Sequence, residues 1–178
     1  MSGTHVFVDE SAKRDYLLVC VAITSDSVVT ARKELKGLLL PGQRSLHMKD
    51  EREARRKKIL STICTLDVTA LLLVASRHRF SGLSAARDEC IRLAAQQAIG
   101  LGANRLVLDR NDSTQVRDRR IIADAARADG YPRPPFEYLH QARHEEPMLW
   151  VPDAVGWSWS RGGTWRAKVE NLVTCRKV

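Results

Sequence analysis

Long apolar runs are missing from this sequence. None of its apolar stretches reaches the roughly 20 residues that a helix needs to cross a bilayer, so a membrane-spanning chain is not expected. The opening Met1-Ser2-Gly3-Thr4-His5 lacks the basic stretch followed by an apolar one that marks a secretory leader, which makes the cytoplasm the expected compartment. Cysteine is sparse: Cys20, Cys64, Cys90 and Cys175, with no Cys-x-x-Cys pair. That spacing argues against a zinc site and leaves buried, reduced thiols as the expectation for all four. Aromatic residues make up 6% of the chain, too few for a base-stacking platform of the single-strand-binding type. The four tryptophans read as core anchors. No internal repeat, low-complexity segment or basic tail is present.

What the chain has is positive charge within its globular part. Lys and Arg number 29 against 21 Asp and Glu, a formal net charge of +8. Such a balance favours a nucleic acid, an anionic membrane or an acidic partner. The 178 residues suit one domain, spanning 1–178, with a full core.

Hydrophobic periodicity predicts the order β-β-α-α-β-α-β-α-β-α-α. Strands are expected over 4–9, 15–24, 66–78, 105–109 and 136–141, and helices over 27–39, 50–64, 83–101, from about 112 to 128, from about 146 or 152 to 160, and over 165–173. Glu10 to Arg14 reads as a hairpin connection. Ser25-Asp26-Ser27 offers an N-cap. Helices that follow strands imply parallel pairs, with an antiparallel hairpin at the start. The fold class is α/β, a mixed five-stranded sheet flanked by helices.

Within this frame, acidic residues stand just past apolar runs. Val6-Phe7-Val8 leads into Asp9-Glu10, Leu106-Val107-Leu108 into Asp109, and Leu149-Trp150-Val151-Pro152 into Asp153. Ligands of open α/β sheets bind beyond the carboxyl ends of the strands. If the first and fourth strands are parallel neighbours, Asp9 and Asp109 meet there, and Asp153 can lean over the same point. Two or three carboxylates are the donor set of a hard cation such as Mg²⁺, and such ions assist in-line phosphoryl displacement. The same residues also suit plain turn and capping roles.

His47 lies in a polar loop as a candidate proton shuttle or phosphate contact, or as a solvated loop residue. His140 and His144 have zinc spacing only if they lie on a helix, and the segment reads as strand and loop. Arg52, Arg55 and Arg56 follow His47, and Arg110 and Arg117 follow Asp109, which suggests a track for a phosphate backbone. Solvated helix faces would look the same.

The opening strand ending Val-Asp-Glu-Ser, the later Leu-His-Met-Lys-Asp and the late Trp-Val-Pro-Asp-Ala-Val resemble a large bacterial family (domain of unknown function 3800) within the RNase H-like superfamily. Its members open with a strand ending Asp-Glu-Ser-Gly and later carry a His and an Ala-Asp pair before a helix. The resemblance implies an RNase H-like fold and a Mg²⁺- or Mn²⁺-dependent nuclease acting on DNA or RNA. It implies Asp9, Asp109 and Asp153 as metal ligands, with Glu10 in reserve and His47 as a further signature residue. This chain departs from the pattern at Ala12, where the family has Gly, and at Pro152, where it usually has Ala. Two expected helices also interrupt the superfamily's three-strand meander. The alternatives are a catalytically silent module that binds nucleic acid or a protein partner, toxin- or defence-related among them, and a hydrolase for a small substrate in a closed pocket.

Overall fold

In the computed structural model of the chain, residues 3–12 and 14–178 are described. The Met1-Ser2 start of the expected leaderless terminus and Lys13 of the expected hairpin connection lie outside the described residues. The strands are β1 (Thr4–Ala12), β2 (Tyr16–Thr24), β3 (Val68–Ala75), β4 (Ala103–Asp109), β5 (Glu137–Gln141) and β6 (Val173–Lys177). The helices are α1 (Ser25–Lys36), α2 (Glu53–Ile63), α3 (Leu83–Gly100), α4 (Gln115–Ala128), α5 (Trp150–Arg161) and α6 (Gly163–Val169). No helix among the described residues is long and apolar enough to cross a membrane.

The sheet order is β5-β4-β1-β2-β3-β6. Strand β2 runs antiparallel to both neighbours, whereas β1–β4, β4–β5 and β3–β6 are parallel pairs. There are therefore six strands among the described residues, not the five expected. The addition is β6, because the last helix stops at Val169 and a short 3₁₀ turn hands the chain to Val173-Thr174-Cys175. β-branched residues favour a pleated strand. The meander survives its insertion: α1 and α2 intervene between β2 and β3, yet Leu18 still pairs with Leu73 and Cys20 with Leu71.

Side chains alternate across a strand, so each strand serves two cores. Phe7, Val19 and Val21 pack with Leu35 of α1, Ile59 of α2 and Val151 and Val155 of α5. Val6, Val8, Leu18 and Cys20 pack with Cys90 and Ile91 of α3 and Ile122 of α4. Helix α5 lies close on the sheet because position 156 is glycine: a Cβ there would stand 3.3 Å from Val19 Cγ2. Gly162 and Gly163, at φ 73° and 53°, turn the chain between α5 and α6. Side chains with a Cβ rarely adopt that region.

Other expectations need correction. β1 runs on through Ala12, so Glu10 and Ser11 belong to the strand and not to the turn. Helix α1 begins at Ser25, which places Ser25, Asp26 and Ser27 in its first turn, with no side-chain cap at Thr24. Cys20 and Cys90 are buried, but Cys64 and Cys175 are exposed. Trp150 is a core residue at 2% exposure. Trp157, Trp159 and Trp165 are half-buried: Trp157 and Trp165 meet edge to face at 5.2 Å, and Arg56 and Arg166 cover Trp157 and Trp159.

Candidate active site

The parallel pairing of β1 with β4 stops at one place, level with the ends of β4 and β5. Strand β1 itself runs on along β2 to Ala12 and does not end at Asp9 as expected. Val8 is in register with Leu108, and Asp109 with Gln141. Asp9 and Asp109 therefore emerge side by side, and the chain leaving β5 reaches Arg143 two residues later. Asp153 enters from the first turn of α5. The four side chains line a cavity of about 520 Å³, together with His47, Lys49 and Arg110.

At its centre is the guanidinium of Arg143. Its Nη2 donates to Asp9 Oδ2 at 3.1 Å and to Asp109 Oδ2 at 2.9 Å. Its Nη1 stands 3.4 Å from Asp153 Oδ1, out of line for a hydrogen bond, and has no hydrogen-bond partner among the described residues. His47 Nδ1 is 2.9 Å from the same Asp153 oxygen, again without hydrogen-bond alignment. Asp153 Oδ2 accepts the Met48 N–H at 2.9 Å, which ties the His47 loop to α5.

The Arg143 loop is held from several sides. The Trp150 indole N–H donates to the Arg143 carbonyl at 2.7 Å. Glu145 N donates to the Ala142 carbonyl at 2.8 Å, and Glu145 Oε2 accepts from Ala142 N at 2.8 Å. Glu146, 4% exposed, takes both ends of the Arg32 guanidinium from α1, at 2.9 and 2.5 Å. Bidentate pairs of this kind fix geometry as well as charge.

Burial pushes the Asp9 carboxyl up to about 7; Arg143 opposes the rise, and Asp153 and Asp109 add to it. A carboxyl raised in the fold contributes stability that is complete below its unfolded value near 4 and lost as the pH rises through about 7. Urea unfolding of the metal-free protein should therefore show wild type losing stability relative to Asp9→Asn between pH 4 and 7, by up to about 1.4 kcal/mol per unit. Above pH 7 the difference should level off. A difference that is flat across this window would contradict the shift.

Of the residues singled out in the sequence, Asp9, Asp109, Asp153, His47 and Arg110 line the one cavity. Glu10 borders it, but strand alternation turns its carboxylate to the other face. There it accepts from Tyr16 Oη at 2.6 Å and from Arg87 Nε at 2.8 Å, while its backbone N–H donates to Asp9 Oδ1 at 2.7 Å. The expected basic track is only partly assembled. Arg55 donates to the Leu38 carbonyl and Arg56 to the Met48 and Lys49 carbonyls, so both brace the loop that carries His47. Arg117 pairs with Asp88 of α3. Arg52 is exposed just before α2. His140 lies in β5, against Tyr138 and Asp118, and not on a helix that would give zinc spacing.

Sequence reasoning missed Arg143 and passed over Lys49. The rule that drew attention to Asp9 and Asp109, a polar residue at the carboxyl end of a strand, applies equally to Arg143.

The donor chemistry fits a hard divalent cation, since three carboxylates from three elements already share one cationic group. Asp9, Asp109 and Asp153 would hold such an ion. They are spaced around the guanidinium, and no group of three or more His, Cys, Asp or Glu side chains placed to hold a metal ion is found among the described residues.

No family model and no curated protein matches the chain. Solved structures do. The chain is similar to RNase HII from Archaeoglobus fulgidus, solved in complex with PCNA, with a TM-score of 0.60 and 12% identity over 97% of this chain and 76% of that one. It is also similar to Bst-RNase HIII, solved in complex with Mn²⁺, with a TM-score of 0.50 and 10% identity over 90% of this chain and 55% of that one. The fold is RNase H-like.

Proposed function

We propose that this chain is a divalent-metal-dependent nuclease that hydrolyses phosphodiester bonds in DNA or RNA, and that it belongs to the Asp-Glu-Ser family its motifs resemble. The observation that carries this reading is the meeting of Asp9, Asp109 and Asp153 in an open cavity where the parallel pairing of β1 and β4 stops in an RNase H-like sheet. Mn²⁺ bound to an RNase HIII of similar fold supports the choice of cation. When bound, the ion would supply Lewis-acid stabilisation of phosphoryl oxygens and favour ionisation of the attacking water. Lys49 and Arg110 on the rim would take the phosphate backbone. His47, beside Asp153, would carry a proton to or from the reacting oxygens.

The test joins calorimetric titration of Mn²⁺ and Mg²⁺ with a cleavage assay on DNA, RNA and hybrid substrates. Wild type should bind the metal and cleave; Asp9→Asn/Asp109→Asn should do neither. The guanidinium among the carboxylates favours one rival, a module that binds nucleic acid without metal or chemistry. Nucleic-acid binding that persists in the double variant, with no metal binding in wild type, would establish the rival instead.

A further inference from the structure

We propose that Arg143 is the resident counter-cation of this site and that a divalent cation enters by exchange with it, the guanidinium swinging out into the cavity. The inference rests on the nuclease reading and deepens it.

The oxygens that face one another are already in use. Asp9 Oδ2 and Asp109 Oδ2 accept from Arg143, while Asp9 Oδ1 is held by the Glu10 amide and Asp153 Oδ2 by the Met48 amide. Asp9, Asp109 and Asp153, which would hold an ion, are the carboxylates that Arg143 touches. The guanidinium is also an imperfect occupant. Only Nη2 makes aligned hydrogen bonds, and the buried Nη1 has no hydrogen-bond partner among the described residues. One positive charge faces three carboxylates, so a compact ion of charge two balances the site better.

Exchange needs only a side-chain movement. The Arg143 backbone is fixed by Trp150 and by the Ala142–Glu145 turn, whereas the side chain is 22% exposed and lines the cavity. Released, it joins Lys49 and Arg110 among the cations that face a phosphate. The apo protein thereby keeps part of its carboxylate charge balanced, and loading the metal adds a substrate contact.

The experiment is Mn²⁺ titration of the full chain, followed by electron paramagnetic resonance, for wild type, Arg143→Gln and Arg143→Lys. Removing the competitor should tighten Mn²⁺ binding at least about tenfold in Arg143→Gln, a change of 1.4 kcal/mol, with a smaller gain in Arg143→Lys. Equal or weaker binding in Arg143→Gln, alongside clear binding by wild type, would overturn the exchange and leave the nuclease reading intact. Binding by neither protein would overturn both. A second measurement needs no folded variant. The Arg143 Nε–H resonance of wild type should shift and exchange faster with water as Mg²⁺ is added, and an unchanged resonance at saturating Mg²⁺ would also overturn the exchange.

Discussion

On the proposed nuclease reading, Asp153→Asn is expected to lower metal-dependent cleavage by at least about a hundredfold while leaving the protein folded. Partners that merely orient a metal ligand are worth about 10–100-fold in affinity or activity, and a ligand at least as much. Asp153 has two tasks on one carboxylate. Oδ1 faces Arg143 and His47, and Oδ2 accepts the Met48 N–H. An asparagine can still accept that N–H through its amide oxygen, so the His47 loop stays on α5, while an NH2 donor replaces the charged oxygen that faces Arg143 and His47. Asp153→Ala removes both and should also loosen the loop. Cleavage within a few fold of wild type in Asp153→Asn, with an unchanged melting temperature, would remove Asp153 from the site.

The second large effect concerns stability. Asp118 of α4 is fully buried, and both its oxygens engage the Arg87 guanidinium of α3. Thr114 Oγ1 at 3.2 Å and His140 Nε2 at 3.3 Å complete its shell. Burial works against the Asp118 carboxylate, but the hydrogen bonds from Arg87 and His140 outweigh it and hold the group down at about 2. Asp118→Ala would leave Arg87 with only Glu10 and the Thr114 hydroxyl, its side chain 13% exposed. Breaking a buried pair by removing one partner costs about 3–5 kcal/mol, a large part of the 5–15 kcal/mol that holds a typical domain together. Urea unfolding at pH 7 measures it, and a loss below about 1 kcal/mol would mean that Arg87 finds other partners. Because the carboxyl is depressed, its contribution is complete above about pH 4 and disappears as the pH falls through about 2.

The two stretches that sequence patterning rendered best are those where burial follows a single period. Tyr16–Thr24 is apolar almost throughout because helices cover both faces of β2, and Leu83–Gly100 keeps Ala86, Cys90, Leu93, Ala94 and Ala98 on its buried side. The meeting of Asp9 with Asp109 was legible because it needs only one parallel pairing with an acid just past the paired residues on each strand, and it holds although β1 runs on to Ala12. β6 was not legible: its five residues carry no side chain that is fully buried, so they leave no alternating pattern. Nor was the fate of the basic residues. Whether an arginine faces phosphate or braces a carbonyl depends on what packs beside it, and Arg55 and Arg56 find carbonyls released by the turns near Leu38 and Met48.

Asp9 and Glu10 are neighbours that never share a task. One looks into the cavity; the other closes the Arg87–Asp118 cluster on the far side of the sheet. The Glu10 amide that steadies Asp9 belongs to the residue whose side chain Arg87 and Tyr16 grip. A single peptide unit thus acts as a rivet through the sheet. Swapping the two acids would aim the longer side chain at the wrong compartment, so this dipeptide carries no redundancy despite its doubled charge.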